Sequence, residues 1–388
     1  MRKVMLKVLV LALLFPAAPF LRGAEAPAEQ KKLRTALFVD EGCRGSGVLL
    51  WARMLAYSPQ IDFTMVNGED LRNGKLAGID LLVVPGGSSE VEVKRMGEAG
   101  ADAVRKFVAA GGRYFGICAG FHCVLDRPNR LRLLPFAYRK GAGGHIAGLA
   151  MELSAKGAKL LGVRPGRYMV HYSRGPISKQ IEPTMPAWGE VLGVFKSTVS
   201  LAGGRGGDFL NAPAVIRGEY GKGKVIATSF HPENHADTRE LGLGCIWAVT
   251  GVRPTPVYPA KMRRPLRVGY YALAIGGPKY IADMLELDKD PRLDVQLIDY
   301  SHLADGVLEH LDVMIFPHGG ADRFKFLDNP FCRNAFADFM ARGGRIVVTG
   351  SGAKYIPEHK NLTVLPVGSS FLAETLREPG KQEFRSTL

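Results

Sequence analysis

The chain has 388 residues, of which 46% are hydrophobic and 23% are charged, a composition typical of a folded protein long enough for two domains. This composition excludes an intrinsically disordered chain and a polytopic membrane protein. The formal net charge is +14, but the basic residues are scattered and no nucleic-acid-binding motif is present. We therefore predict a solvated basic surface and no nucleic-acid partner.

Residues 1–23 have the pattern of a secretory signal peptide. Arg2, Lys3 and Lys7 precede an apolar run over residues 8–20, which is too short and too rich in proline at its end for a stable membrane span. We expect an exported protein, periplasmic or extracellular, with no stable membrane span after signal cleavage. A retained membrane anchor is the alternative.

The chain has five cysteines, an odd number, and no CxxC pair. This excludes a disulfide scaffold or a zinc ribbon as the organising principle of the fold. We predict no cofactor and no metal.

Continuous apolar segments alternate with amphipathic ones from residue 33 onward. This alternation predicts a doubly wound, mostly parallel α/β sheet that is covered on both faces by helices. The predicted strands are 35–39, 61–66, 80–85 and 113–117, and the predicted helices are 47–57 and 100–111.

The same order of segments repeats from about residue 266. A shift of 232 positions places Pro85 on Pro317 and Gly87 on Gly319, which indicates an internal duplication. We therefore predict a first domain at 31–252, a Pro-rich basic linker at 253–265, and a second, shorter and degenerate copy of the same plan at 266–388.

The two copies differ at one corner of the predicted sheet. Cys118 of the first copy corresponds to Gly350 of the second, and Ser351 lies one position out of register. The second copy therefore lacks a nucleophile at this position, and a shifted serine nucleophile is the weaker alternative.

Cys118 lies in a Gly-x-Cys-x-Gly corner at residues 116–120, between a predicted strand and a predicted helix. Flanking glycines permit a sharp turn that holds a side chain above the sheet edge, and the free N–H groups of the next helix favour a thiolate. We expect the N–H of Ala119 to be one oxyanion donor and Gly86 or Gly87 to supply a second.

A candidate general base follows a predicted β-hairpin in the segment 214–235. Its second strand is predicted to end at His231, and Glu233 lies two residues further on, where its carboxylate can orient the imidazole. Cys118, His231 and Glu233 thus form a candidate nucleophile, base and orienting group.

The motifs "PGG", "GICAG" and "HPE" resemble those of the class I glutamine amidotransferase-like superfamily. More narrowly, residues 33–250 resemble the N-terminal domain of eukaryotic biotin protein ligases. The resemblance implies a flavodoxin-like fold, with Cys118 as nucleophile, His231 as base and Glu233 as its partner.

Other residues of the first domain are weaker candidates. Cys43, in the loop after the first strand, could line the pocket or form a redox pair with Cys118, although an ordinary turn explains it as well. Arg174 lies in a cluster at 166–176 that could bind a carboxylate or amide, and a plain antiparallel strand is the alternative. His122 lies four residues from Cys118, a spacing that could bind metal, but we expect it to pack behind the nucleophile.

We expect an exported cysteine-dependent amidohydrolase that acts on a small-molecule or peptide amide. No synthetase domain follows in the sequence, which favours hydrolysis over delivery of ammonia to a biosynthetic step. The alternative is a non-catalytic ligand-binding or scaffold protein that retains the fold.

Overall fold

The structure, a computed structural model, describes residues 31–139, 145–182, 187–197, 209–272, 278–299, 302–303, 306–317, 329–349 and 360–365. The predicted signal peptide at 1–23 lies outside these residues, as do Gly350 and Ser351 of the second copy. Within the described part of the chain, no helix is long and apolar enough to cross a membrane.

Within the described residues, the first sheet has nine strands in the order β2-β1-β3-β4-β11-β10-β9-β6-β7. Strands β1 to β4 and β11 are parallel to one another, and this part has the 2-1-3-4-5 order of flavodoxin-like folds. The strands β9, β10, β6 and β7 extend the sheet in antiparallel fashion. Their bounds are β1 Leu33–Phe38, β2 Ile61–Val66, β3 Leu81–Val84, β4 Arg113–Ile117, β6 His145–Leu153, β7 Gly166–Ser173, β9 Ala187–Phe195, β10 Pro213–Tyr220 and β11 Gly223–Thr228.

Helices cover both faces of this sheet, and the residues of its central strands are buried along most of their length. All four residues of β3 are buried, and Trp51 of the helix after β1 packs edge-on against Phe115, with ring centroids 5.2 Å apart. The helices are α1 Ser46–Ala56, α2 Gly68–Arg72, α3 Ser89–Ala109, α4 Ala119–Val124, α5 Ala155–Leu161 and α6 Ala236–Thr250. A separate two-stranded sheet pairs β5 Phe136–Arg139 with β8 Ile177–Gln180.

Gly97, at φ 67° and ψ 173°, divides α3 into two helical segments. The segment after Gly97 corresponds to the predicted helix at 100–111, whereas the segment that begins at Ser89 is not predicted. The short helix α2 was not predicted, and it is held by a capping box between Asn67 and Asp70.

The described part of the second copy forms a sheet of five parallel strands in the order β13-β12-β14-β15-β16, again the flavodoxin-like arrangement. Strands β14 and β15 lie 232 positions after β3 and β4, as the duplication predicts. The second copy of the plan is therefore confirmed. Its elements are β12 Leu266–Tyr271, α7 Pro278–Lys289, β13 Leu293–Ile298, β14 Val313–Phe316, α8 Pro330–Ala341, β15 Arg345–Thr349 and β16 Leu362–Leu365.

Helix α1 joins the two sheets through a buried ion pair. Arg53 donates from Nε and Nη2 to the two carboxylate oxygens of Asp288 in α7, at 2.7 and 2.6 Å, and from Nη1 to the carbonyl oxygen of Val295 at 3.3 Å. The side chain of Asp288 is fully buried, and Lys261 of the predicted linker lies 3.4 Å from it. The second sheet thus packs on the same helix that follows the first strand of the first sheet.

We predict that Arg53→Ala lowers the free energy of unfolding by about 3 kcal/mol, because it leaves the buried carboxylate of Asp288 without its main partner. Urea unfolding followed by circular dichroism measures the change. Arg267→Ala is the matched control, since its pair with Asp312 has the same fork geometry but is exposed. Equal effects of the two substitutions would contradict the role given to the buried pair.

Candidate active site

Cys118 occupies the corner between β4 and α4 with a left-handed backbone, at φ 51° and ψ −97°. Non-glycine residues rarely adopt this conformation, and it persists only where surrounding contacts impose it. The backbone N–H of Cys118 donates to the carbonyl oxygen of Thr228 at 2.8 Å, and its carbonyl accepts from His122 at 3.0 Å. The corner thus has the strained strand-to-helix geometry of a nucleophile elbow.

The two flanking glycines are required by close backbone approach. A Cβ at Gly120 would overlap the carbonyl oxygen of Val84, and one at Gly116 would overlap the carbonyl oxygen of Gly120. Tyr114 fixes the same corner, because its hydroxyl donates to the Gly120 carbonyl at 3.0 Å. A side chain at either glycine would displace the corner that carries Cys118.

The thiol of Cys118 lies at the carboxyl edge of the first sheet, where β4 is flanked by β3 and β11. Open α/β sheets bind ligands at this edge. The residue is 5% exposed, and its Sγ lies 3.5 Å from the carbonyl oxygen of Ser173 at the end of β7.

His231 and Glu233 form a buried hydrogen-bonded pair, with 2.8 Å between Nδ1 and Oε1. The predicted position of His231 at a strand end is wrong, because β11 ends at Thr228 and His231 precedes a 3-10 turn at Pro232–Asn234. The turn brings the Glu233 carboxylate back to the ring. The backbone N–H of His231 donates to the carbonyl of His171 at 2.8 Å, which ties this segment to β7.

The imidazole of His231 belongs to the same electrostatic unit as Cys118. Burial by itself lowers the pKa of His231, but the charges of Cys118 and Glu233 and hydrogen bonds to both raise that pKa well above its usual value of 6.5. The structure therefore brings Cys118, His231 and Glu233 together, and an imidazolium at neutral pH is the form that this environment favours.

Two more glycines form the walls of this unit. A Cβ at Gly86 would overlap Cε1 of His231, and one at Gly47 would overlap Oε1 of Glu233. Gly86 thus lies directly against the ring of the candidate base. Gly87 forms an isolated antiparallel bridge with Cys43, and Ala119 is the first residue of α4, where backbone N–H groups have no acceptor within the helix.

Cys43 and Arg174 lie at this edge with different surroundings. Cys43 is buried, its thiol donates to the carbonyl of Phe38 at 3.4 Å, and burial raises its pKa well above the usual value. All five cysteines are free thiols, so Cys43 and Cys118 are not paired. Arg174 follows β7 with φ 54° and an exposed side chain, next to the Ser173 carbonyl that the Cys118 thiol contacts.

Glu92 is a buried carboxyl group that no sequence motif points to. It is fully buried beneath Gly42 and Gly87, and burial raises its pKa to about 8, although a hydrogen bond from Cys123 and the charge of Arg130 lower it. A Cβ at Gly87 would meet its Oε1 at 2.8 Å, so this carboxyl group packs directly against Gly87, one of the predicted oxyanion donors. Between Val91 and Val93 in an ordinary helical segment, it carries no motif.

His122 supports the nucleophile corner through two hydrogen bonds. Its Nδ1 lies 2.7 Å from the hydroxyl of Ser89, and its Nε2 lies 3.2 Å from Nη1 of Arg127. Burial, Arg130 and Arg127 lower the pKa of His122 to about 3, so the ring is neutral. Because a guanidinium only donates, Nε2 accepts and Nδ1 carries the proton toward Ser89. Among the described residues, no group of three potential ligands could hold a metal ion.

The chain is similar to several known proteins. The family model described as "Biotin-protein ligase, N terminal" matches residues 57–124. The pyridoxal 5'-phosphate synthase subunit PdxT of Koribacter versatilis is 31% identical over 173 residues, which are 42% of this chain and 74% of that protein. The phosphoribosylformylglycinamidine synthase subunit PurQ of Rhodospirillum rubrum is 46% identical over 55 residues, 13% of this chain and 24% of that protein.

Solved structures show low overall similarity. PurLQS from Thermotoga maritima has a TM-score of 0.42 and 16% identity, covering 55% of this chain and 98% of the matched chain. A ThuA-like protein from Bacteroides uniformis has a TM-score of 0.44 and 11% identity, with 59% and 95% coverage.

On its sequence relatives, the chain belongs to the class I glutamine amidotransferase-like superfamily. Within that superfamily, residues 57–124 are similar to the N-terminal family of biotin protein ligases, and this match covers less than a fifth of the chain.

We predict that His231→Ala slows the alkylation of Cys118 by iodoacetamide at least about tenfold near pH 6. The raised pKa of His231 keeps its ring charged beside the Cys118 sulfur at low pH. The resulting increase in the alkylation rate is lost as pH rises through the pKa of His231. The gap between the two proteins should therefore narrow toward about pH 9. Rates come from mass spectrometry of the Cys118 peptide, and parallel pH profiles would contradict the coupling.

We also predict that Gly86→Ala slows this alkylation at neutral pH by about tenfold, because the new methyl group displaces the ring of His231. Gly100→Ala is the matched control, since a Cβ there meets its nearest neighbour at an ordinary 3.4 Å inside α3. Equal rates of Cys118 alkylation in Gly86→Ala and in the unmodified protein would contradict this prediction, because the loop that contains Gly86 would then have moved without displacing His231.

Proposed function

We propose that this protein is a cysteine-dependent amidohydrolase that cleaves a small-molecule or peptide amide. The observation that supports the proposal is the unit of Cys118, His231 and Glu233 at a strained corner of the sheet edge. The superfamily relatives are glutamine amidotransferase subunits, which is consistent with an amide substrate.

The first half of the reaction forms a thioester. The sulfur of Cys118 attacks the amide carbonyl carbon, and the N–H groups of Ala119 and of Gly86 or Gly87 stabilise the negative charge that develops on oxygen. The imidazolium of His231 gives its proton to the amine nitrogen as the carbon–nitrogen bond breaks. Ammonia or an amine leaves, and the acyl group remains on sulfur.

The second half releases the acid. The neutral imidazole of His231 takes a proton from water, the resulting oxygen nucleophile attacks the thioester carbon, and the carbon–sulfur bond breaks. Cys118 departs as a thiolate next to the newly formed imidazolium. Glu233 accepts a hydrogen bond at Nδ1 throughout, which holds the ring so that Nε2 faces the reacting atoms.

The proposal includes export. The basic and apolar pattern of residues 1–23 supports a cleaved signal peptide and a periplasmic or extracellular location. Expression of the full chain with cell fractionation, followed by mass measurement of the mature N-terminus, tests this. Recovery of an uncut N-terminus in the cytoplasmic fraction would contradict export without bearing on catalysis.

We predict that Cys118→Ala abolishes ammonia release from a panel of carboxamides that includes L-glutamine and short peptide amides. A loss of at least about a thousandfold is expected for a missing nucleophile, and Glu233→Gln should reduce the rate about tenfold to a hundredfold. Cys245→Ala is the matched control, because it removes another buried thiol of the same domain in α6, outside the proposed catalytic unit.

Detection of an acyl-enzyme mass on Cys118 during turnover would support the thioester step. The non-catalytic alternative predicts the opposite pattern. A ligand that binds equally well to the unmodified protein and to His231→Ala, with no ammonia released from any amide tested, would favour a binding or scaffold protein.

A further inference from the structure

The two sheets present their carboxyl edges at the same end of helix α1. In a right-handed βαβ unit, α1 runs antiparallel to β1. Ser46, the first residue of α1, contacts Asp299 just after the end of β13, whereas Arg53, two turns later, contacts the carbonyl of Val295 in the middle of β13. Strand β13 therefore also runs antiparallel to α1, in the direction of β1.

Carboxyl edges are where open α/β sheets bind ligands. In the sequence, the second copy has Gly350 where the first has Cys118. Strand β13 of the second sheet ends beside the N-terminus of α1, so Asp299 contacts Ser46, which is one residue from the Gly47 that faces Glu233.

Asp299 is the described residue that makes this approach. Its Oδ2 lies 3.5 Å from the hydroxyl of Ser46, and its Oδ1 lies 2.7 Å from Nδ1 of His302. Gly47, the residue after Ser46, lies against the carboxylate of Glu233. The Asp299 side chain is 23% exposed, so it is held in place and still open to solvent.

The carboxylate of Asp299 is near enough to His171 of β7 to affect its pKa. Burial, His231 and His235 lower the pKa of His171 to about 4, and Glu233 and Asp299 oppose that decrease. The backbone carbonyl oxygen of His171 accepts a hydrogen bond from the backbone N–H of His231, and the centroids of the two rings lie 5.8 Å apart. Asp299 therefore acts on the immediate neighbour of the candidate base, from a different sheet.

We propose that Asp299 is a specificity-determining residue that selects amide substrates carrying a cationic group, such as a protonated amine or a guanidinium. This inference rests on the proposed function, because the group it recognises belongs to the molecule that Cys118 attacks. A carboxylate offers only hydrogen-bond acceptors and a negative charge, so its matching ligand group is a cationic donor. The second copy then completes the pocket of the first instead of carrying its own reaction.

The test measures the charge preference of Cys118 with two thiol reagents that differ in sign. Aminoethyl methanethiosulfonate is cationic, and sulfonatoethyl methanethiosulfonate is anionic. With each, the Cys118 sulfur forms a disulfide and methanesulfinate leaves. The ratio of the two labelling rates, divided by the same ratio for free cysteine, reports the electrostatic field at the sulfur and needs no turnover.

We predict that Asp299→Asn lowers this ratio at least about threefold, because removal of one carboxylate disfavours the cation and favours the anion. Asp312→Asn is the matched control, since Asp312 precedes β14 at the opposite edge of the same sheet. A substitution that merely loosens the fold changes both rates together and leaves the ratio unchanged. Added salt should reduce the difference.

An unchanged ratio in Asp299→Asn, with Cys118 still reactive toward both reagents, would overturn the inference and leave Asp299 with a structural role, such as its contact with His302. This outcome is distinguishable from failure of the proposed function. If the proposed function fails, the unmodified protein hydrolyses no amide, but the labelling ratio still reports whether Asp299 affects the site.

Discussion

The left-handed backbone at Cys118 is held by contacts from three strands, and the rest of the site is arranged around it. Strand β11 accepts the Cys118 N–H, the end of β3 leaves no room for a side chain at Gly120, and the end of β7 contacts the thiol. Such strain costs about 1–3 kcal/mol and is retained only where packing over-determines it. The glycines at 116 and 120 permit the approach that makes this packing possible.

Charge at the corner is balanced by a short chain of groups. Glu233 is fully buried, and burial of its carboxylate without a hydrogen-bond partner would cost folding free energy. His231 is that partner, and the same ring also interacts with Cys118. Gly47 and Gly86 allow the neighbouring loops to close over this chain. A thiolate–imidazolium pair in such a closed site is a reactive form of cysteine at neutral pH.

Much of the fold could be predicted from the sequence, because its strands are continuous apolar runs and its two copies share one spacing. The duplication is visible in the sequence because β3 and β4 recur 232 positions later as β14 and β15. The predicted helix at 100–111 matches the part of α3 after Gly97, and the helical segment before Gly97 is separate and not predicted. The contribution of Asp299 was not predictable, since it depends on how the second sheet packs on α1, and no local motif encodes that contact.

The coupling of Cys118 and His231 is the central claim, and the protonation state of the His231 ring tests it most directly. Nitrogen NMR of protein with labelled histidine, assigned with His231→Gln, reports whether both ring nitrogens carry protons. We predict that the His231 ring is doubly protonated at neutral pH. Its pKa should fall in Cys118→Ala, because burial then lowers that pKa without the opposing effect of the Cys118 sulfur. A neutral ring at that pH, or a pKa that does not respond to Cys118→Ala, would contradict it.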